Sequence, residues 1–195
     1  IEPTFSIYDS DDQLRLIKRI LKNLNRDPKL LPFKINTLIS EISLAKNLKL
    51  SPTQYINKFG DQNSSLGFNQ NIFEMYQHYE NELNQSNALD FDDLLLKTVI
   101  LLQNDEETRM MCEEQFKYLL VDEFQDTNKL QFEISTSLTK ENKNLFVVGD
   151  PDQSIYSWRH ADPNNVIDFN NFFKNSKIIK LDQNYRSTKS ILSAA

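Results

Sequence analysis

Apolar residues recur every three or four positions through the first half of the chain; past residue 117 they gather instead into runs of four or five. Leu14, Ile17, Leu21 and Leu24 predict a helix over 8–25 that Asp9 or Ser10 can cap. Two prolines in "RDPKLLPF" end that pattern, and Ile35, Leu38, Ile39, Ile42 and Ala45 form the stripe of a second helix within 34–50. Pro52 suits the first turn of a third. The polar stretch "GDQNSSLG" (60–67), with two of the three glycines, predicts a loop. Ile72, Met75, Tyr76 and Tyr79 then mark a helix over 68–87, so residues 1–88 are predicted to be entirely helical.

A helix over 90–104 follows, with Asp90 as N-cap and Asp93 three residues on. "YLLV" (118–121), "LFVVG" (145–149) and "KIIKL" (177–181) are too short for helices and are separated by helical patterns at 128–139 and 163–173. Short apolar runs alternating with helices predict parallel strands joined by crossovers. A last helix is expected from about Ser187. The fold class predicted is α/β: part of a parallel sheet in 89–195, whose first and last strands are expected elsewhere, preceded by a helical segment at 1–88.

Composition narrows this picture in three ways. The 195 residues are 39% hydrophobic, with 13 Phe and 7 Tyr, which excludes wholesale disorder. No run approaches the length of a membrane-spanning helix. The single cysteine, Cys112, excludes an internal disulfide and a multi-thiolate metal site within the chain, and its helical surroundings predict a buried, inert thiol. These features favour a cytoplasmic protein. The start, "IEPTFSIYDS", has neither initiator Met nor the basic and apolar regions of a leader, so the chain is expected to begin inside a longer one. The net charge of -6 argues against a globally basic nucleic-acid binder. Residues 1–88 balance ten basic against ten acidic side chains, whereas 89–195 carry twelve against eighteen, so a DNA-binding groove would have to be local.

The chemistry lies where the apolar runs end. In open parallel sheets ligands sit beyond the C-terminal ends of the strands, and the three runs lead there into "DEFQDTN", "GDPDQSIYSWRH" and "DQNYRST". Asp122, at a strand tip, suits magnesium, which takes oxygen ligands and keeps much of its water. Glu123 can position and deprotonate a water for attack on a phosphoryl group. The plainer alternative is that both acids cap the helix that follows. Asp126 and Thr127 are at least as well suited to cap that helix as to touch a ligand.

"LLVDEFQDTN", "VVGDPDQSIYSWR" and "LDQNYRST", in this order, resemble motifs II, III and IV of the UvrD/Rep/PcrA-type superfamily 1 DNA helicases. "LDFDDLL" (89–95) is similar to the segment that returns the chain from their 1B insertion to domain 1A, and "ISLAKN" (42–47) to a stretch within that insertion. The resemblance implies a RecA-like P-loop NTPase sheet, domain 1A, with an all-helical 1B insertion at 1–88. It implies ATP and Mg2+ as cofactors, with Asp122 as the magnesium ligand and Glu123 as the general base. By the same resemblance Gln153 touches the γ-phosphate and couples nucleotide state to DNA, Tyr185 packs on the adenine, and Arg186 clamps the γ-phosphate. Tyr156 and Trp158 would stack on single-stranded DNA bases with Arg159 at the same edge, a role that aromatic faces can fill without reading sequence. Each has a plainer alternative: a core ring for Tyr156 or Trp158, a turn-stabilising amide for Gln153, a surface ion pair for Arg186. Two departures stand out. His160 occupies a position where glycine commonly follows the arginine, and Phe124 replaces a frequent tyrosine.

No "GxxxxGK" phosphate loop occurs, and a P-loop ATPase cannot hold the β- and γ-phosphates without it. The expectation is therefore an excerpt of a longer helicase, inactive by itself; a degenerate paralogue is the alternative. Expected partners are single-stranded and duplex-junction DNA, with a repair or replication protein as a further candidate and no membrane. The helicase portion of a RecB/AddA-type helicase-nuclease, or a non-catalytic partner-binding module, would share much of this pattern.

Overall fold

The computed structural model describes residues 2–60, 67–167 and 169–194. Most of the predicted helices form, and their caps explain where they start. Asp9 accepts from the backbone N–H groups of Asp11 and Asp12 and closes a capping box at the head of α1 (Ser10–Asn23). α2 (Ile35–Asn47) follows a single 3-10 turn at Pro28–Leu30. Ser51 and Gln54 box the start of α3 (Pro52–Phe59), with Pro52 in the first turn. Gly67, at φ +91°, precedes α4 (Phe68–Gln85) in a left-handed conformation that glycine adopts without strain. The predicted loop at 60–67 lies, over 61–66, outside the described residues.

The helical prediction for 1–88 misses one feature. Ser6–Tyr8 forms a strand, β1, paired in parallel with β2 (Ala88–Asp90), so Tyr8 lies beside Asp90. A three-residue strand is too short to show a period of its own, and only the distant partner reveals it. Behind this pair α1, α2, α3 and α4 enclose the main core, where Leu21, Leu38, Ala45, Ile72 and Met75 are fully buried.

The core also holds a charge. Lys46, from α2, is fully buried, with its Nζ 2.8 Å from Asp90 Oδ2, 2.9 Å from Asp93 Oδ2 and 2.9 Å from Glu80 Oε1. Tyr79 donates to Asp90 Oδ2 at 2.9 Å, and its ring lies 5.2 Å from the ammonium. Burial pulls the lysine down, but the combined pull of Asp90, Glu80 and Asp93 outweighs it and holds the ammonium well above its ordinary range. Burial likewise raises Asp90, yet Lys46 and the cap hydrogen bonds win and lower it. For Asp93 the order reverses: burial, aided by Asp90 and Glu80, pushes the carboxyl up to about 6 despite Lys46. "ISLAKN" and "LDFDDLL" therefore meet at one buried ion cluster, which welds α2 to α5 (Phe91–Asn104).

After α5, α6 (Glu106–Gln115) carries Cys112, which is half-buried instead of buried as predicted, because its helix packs with one face only. Buried Glu113 accepts from the backbone N–H of Glu141 and Asn142 and pairs with Arg109 at 3.1 Å. β3 (Leu119–Val121) and β4 (Leu145–Val147) pair in parallel, Leu120 beside Phe146, across α7 (Lys129–Ser137). Asn128, not Asp126 or Thr127, caps α7 through a box with Gln131. Thr127 instead donates its hydroxyl to Phe124 O. The helix predicted over 163–173 appears as α8 (Asn164–Ile167) and α9 (Phe169–Phe172), and α10 (Lys189–Ala194) follows.

The third predicted strand, 177–181, is not a strand: Ile178 and Ile179 are each 65% exposed and Leu181 is 83% exposed. A strand is defined by a hydrogen-bonded neighbour, and among the described residues this run has none. The chain is thus a mixed α/β structure with two small parallel sheets, β1–β2 and β3–β4, and many helices.

Candidate functional site

The β3–β4 ladder continues past both strands and delivers their tips side by side. Val148 N donates to Val121 O at 2.8 Å and Phe124 N to Val148 O at 2.9 Å. The chain leaves β3 through Asp122 and Glu123, both exposed, and turns into a 3-10 turn at Phe124–Asp126. Glu123 makes the turn at φ +49°, a left-handed conformation that a side chain disfavours and that surrounding contacts must hold. Phe124, fully buried, anchors it from below, its ring 6.0 Å from Phe132 and 5.9 Å from Phe169.

One amide ties the two tips together. Gln125, 1% exposed, donates from Nε2 to Glu123 Oε2 at 2.8 Å and accepts from the backbone N–H of Asp150 on Oε1 at 3.0 Å. Asp150 also caps the next 3-10 turn, Pro151–Gln153, and its Oδ2 accepts from Gln153 Nε2 at 2.6 Å. Gln153, itself exposed, therefore plays the turn-stabilising part, with its amide linked to Glu123 through Asp150 and Gln125. From sequence Asp150, with Asp152, suggests at most a two-metal site with Asp122 and otherwise loop architecture, and Gln125 carries no chemical signal at all. Gln125 reads there as one more polar residue of a turn, and only its burial marks it.

Asp122 Oδ1 accepts from Glu123 N at 2.9 Å, and among the described residues its exposed carboxylate has no other hydrogen bond. Among the described residues no three or more acidic, histidine or cysteine side chains group into a metal cage. A single free carboxylate still fits magnesium, which binds through one or two carboxylates together with waters and substrate phosphates.

Beyond Gln153 the chain presents its aromatic residues. Tyr156 and Trp158 are 37% and 68% exposed, so neither is the core ring that the plainer reading allowed. Their centroids are 6.2 Å apart, and the Arg159 guanidinium lies 4.4 Å from the Trp158 ring and 5.3 Å from Tyr156. His160 takes φ +61°, the conformation in which glycine would be unstrained. The Asn128–Ala161 bridge and the Asp162 N to Thr127 O bond at 3.0 Å clamp this turn onto the start of α7.

Tyr185 and Arg186 stand apart. Tyr185 is 91% exposed, and Asn184 Oδ1 accepts from Arg186 N and Ser187 N at 2.9 and 2.8 Å to form a local turn. Among the described residues the Arg186 side chain has no ion pair, and no hydrogen bond joins it to Asp122, Glu123 or Gln153. Hydrogen bonds link Asp122, Glu123 and Gln153, and the chain runs on from Gln153 into the mutually packed Tyr156, Trp158 and Arg159; among the described residues no such bond joins Tyr185 or Arg186 to them.

With the geometry in place, comparisons with known proteins give a consistent answer. The sequence model described as the UvrD/REP helicase N-terminal domain matches residues 1–174. The ATP-dependent DNA helicase PcrA of Leuconostoc citreum is 42% identical over 191 residues, covering 98% of this chain and 25% of that protein. The proteins of the same name from Bacillus subtilis and Staphylococcus aureus are 41% and 42% identical over 195 residues, covering all of this chain and 25% and 26% of theirs. The chain thus spans about a quarter of the length of the curated relatives it matches. No helix among the described residues is long and apolar enough to cross a membrane. An N-terminal-domain match over most of the chain, with more than two-fifths identity across its whole length, places this chain in the UvrD/REP helicase family.

Proposed function

We propose that this chain is the part of an ATP-dependent DNA helicase that couples Mg-ATP hydrolysis to movement along single-stranded DNA and to duplex unwinding. The single observation that carries the reading is the lacing of the two strand tips: Glu123, the candidate base, and Gln153, the candidate phosphate contact, share one short hydrogen-bonded edge that runs on into exposed aromatics. In this reading residues 89–195 are the C-terminal part of a RecA-like domain 1A and residues 1–88 a 1B-like insertion.

Glu123 accepts a proton from the attacking water, and the donated Gln125 amide fixes where its carboxylate points. Asp122 would hold magnesium, which when bound neutralises charge on the phosphates. Gln153 exchanges its bond to Asp150 for one to the γ-phosphate, which gives the 150–159 segment a reason to move when nucleotide binds. Tyr156 and Trp158, with Arg159 against them, offer faces to successive bases without reading their edges. Tyr185 and Arg186 are free to meet the adenine and the γ-phosphate, where a guanidinium fork matches two phosphate oxygens. With no phosphate loop in its sequence, the chain alone should not turn over ATP. DNA is the partner that this reading requires, and the cytoplasm the compartment.

The test is Glu123→Gln in the full-length protein that carries this segment. DNA-stimulated ATP hydrolysis should fall by about 100-fold or more while ATP binding persists; unchanged turnover refutes the assignment. Trp158→Ala should weaken single-strand affinity by about 1–3 kcal/mol, and unaltered affinity and unwinding would reduce Trp158 to a surface ring.

A further inference from the structure

We infer that Gln125 is a positioning residue for the Glu123 carboxylate and that it transmits the conformation of the 149–154 loop to it. The inference rests on the reading of Glu123 as the group that activates water. Glu123 and Asp122 are exposed, and Glu123 sits in a left-handed backbone conformation. The direction of its carboxylate is therefore not set by packing, and among the described residues the Gln125 amide is the one side chain hydrogen-bonded to it, at 2.8 Å. Gln125 by contrast is buried and held at both ends, because Oε1 is engaged by Asp150 N at 3.0 Å and its backbone oxygen accepts from Ser154 Oγ at 3.4 Å. An amide supplies a donor and an acceptor at once, which neither a carboxylate nor an apolar chain of equal length can do.

The loop reaches this amide only because residue 149 has no side chain. A Cβ on Gly149 would lie 2.8 Å from Gln125 Oε1 and 3.2 Å from the backbone nitrogens of both Gln125 and Phe124. From Gln125 the path continues through Asp150 to the Gln153 amide. A displacement of Gln153 or Asp150 thus acts on the end of Gln125 opposite Glu123, and rotates or releases the carboxylate without any contact between the loop and Glu123 itself.

The experiment measures steady-state ATP turnover of the full-length protein with and without a single-stranded oligonucleotide. Gln125→Met removes both bonds, Gln125→Glu keeps the acceptor for Asp150 N but loses the donor for Glu123, and Gly149→Ala pushes on the amide while leaving Gln125 and Glu123 in place. Both Gln125 variants should lower kcat by about 100-fold, with KM for ATP and oligonucleotide affinity unchanged, and Gly149→Ala should lower kcat in the same direction. In a Glu123→Gln background Gln125→Met should reduce turnover no further, a coupling that a merely structural role would not produce. Wild-type kcat in both Gln125 variants, or an equal additional loss in the Glu123→Gln background, overturns the positioning role. Wild-type kcat in Gly149→Ala overturns transmission by the loop. Full turnover in Glu123→Gln alone overturns instead the general-base reading beneath it.

Discussion

The two regions of this chain treat polar residues in opposite ways. In the helical region the charged groups that matter are inside: Lys46 and Asp90 are fully buried, Asp93 nearly so, and each has its partners within the core. In the β3–β4 region Asp122, Glu123, Gln153 and Arg159 stand exposed at the edge, while the strands behind them show apolar side chains to solvent, Leu120 at 71% and Phe146 at 57%. Buried, paired charge does architecture, because an ion pair in a low-dielectric core is costly to break and is shut away from any ligand. Exposed polar groups on a braced turn are available for chemistry. The same residue types, Asp and Lys or Arg, thus carry different work according to what surrounds them, and Gln125 is the exception that joins the classes: buried like the first, bonded to a member of the second.

This contrast can be broken most directly at Lys46. Lys46→Met leaves three carboxylates around an apolar side chain, and should destabilise the chain by about 3–5 kcal/mol in urea unfolding followed by circular dichroism. A change below about 1 kcal/mol would mean that the cluster is not a structural weld. The next largest effect is a paired measurement. Leu38→Ala, at a fully buried position in the helical core, should cost about 2–5 kcal/mol, whereas Leu120→Ala should change the stability of the chain by no more than about 0.5 kcal/mol. Equal losses would show that the sheet face is packed after all.

The smallest effect is one of pH. Asp93 is pushed up to about 6 in the folded chain from an ordinary value of 3.8, so the folded state holds its proton more tightly than the unfolded state. The stability this contributes is complete below the unfolded value and is lost as pH rises through about 6. Asp90, lowered by Lys46, works in the other sense: its contribution is present above the unfolded value and lost only as pH falls below it. Between the two, the slope from Asp93 is at most about 1.4 kcal/mol per pH unit, and Asp93→Asn should flatten it. An unchanged pH profile in that variant would remove Asp93 from the account.

Much of this architecture was legible in local chemistry. Asp9 and Asp90 announce two helix starts, Pro52 fits the first turn of a third, and the apolar stripes mark the buried faces of α1, α2 and α4. Two of the three short apolar runs are paired parallel strands. What could not be read was whatever depends on a partner far along the chain: β1 against β2, the absence of a neighbour for 177–181, and the meeting of Lys46 with Asp90 across 44 positions. The candidate site divides the same way. Asp122 and Glu123 stand out because acids follow an apolar strand, but Gln125 and Asp150 become visible only when β3 and β4 lie side by side and their turns share a hydrogen bond.

By itself the sequence determined most of the helices, several of their caps, two short strands and a family resemblance, because capping, periodicity and motif order act over a few residues at a time. Only the tertiary structure decided which charges are buried and which are free. Burial and hydrogen bonding depend on atoms brought close by folding, and the same aspartate in the same local sequence becomes a strut or a ligand according to whether water can reach it.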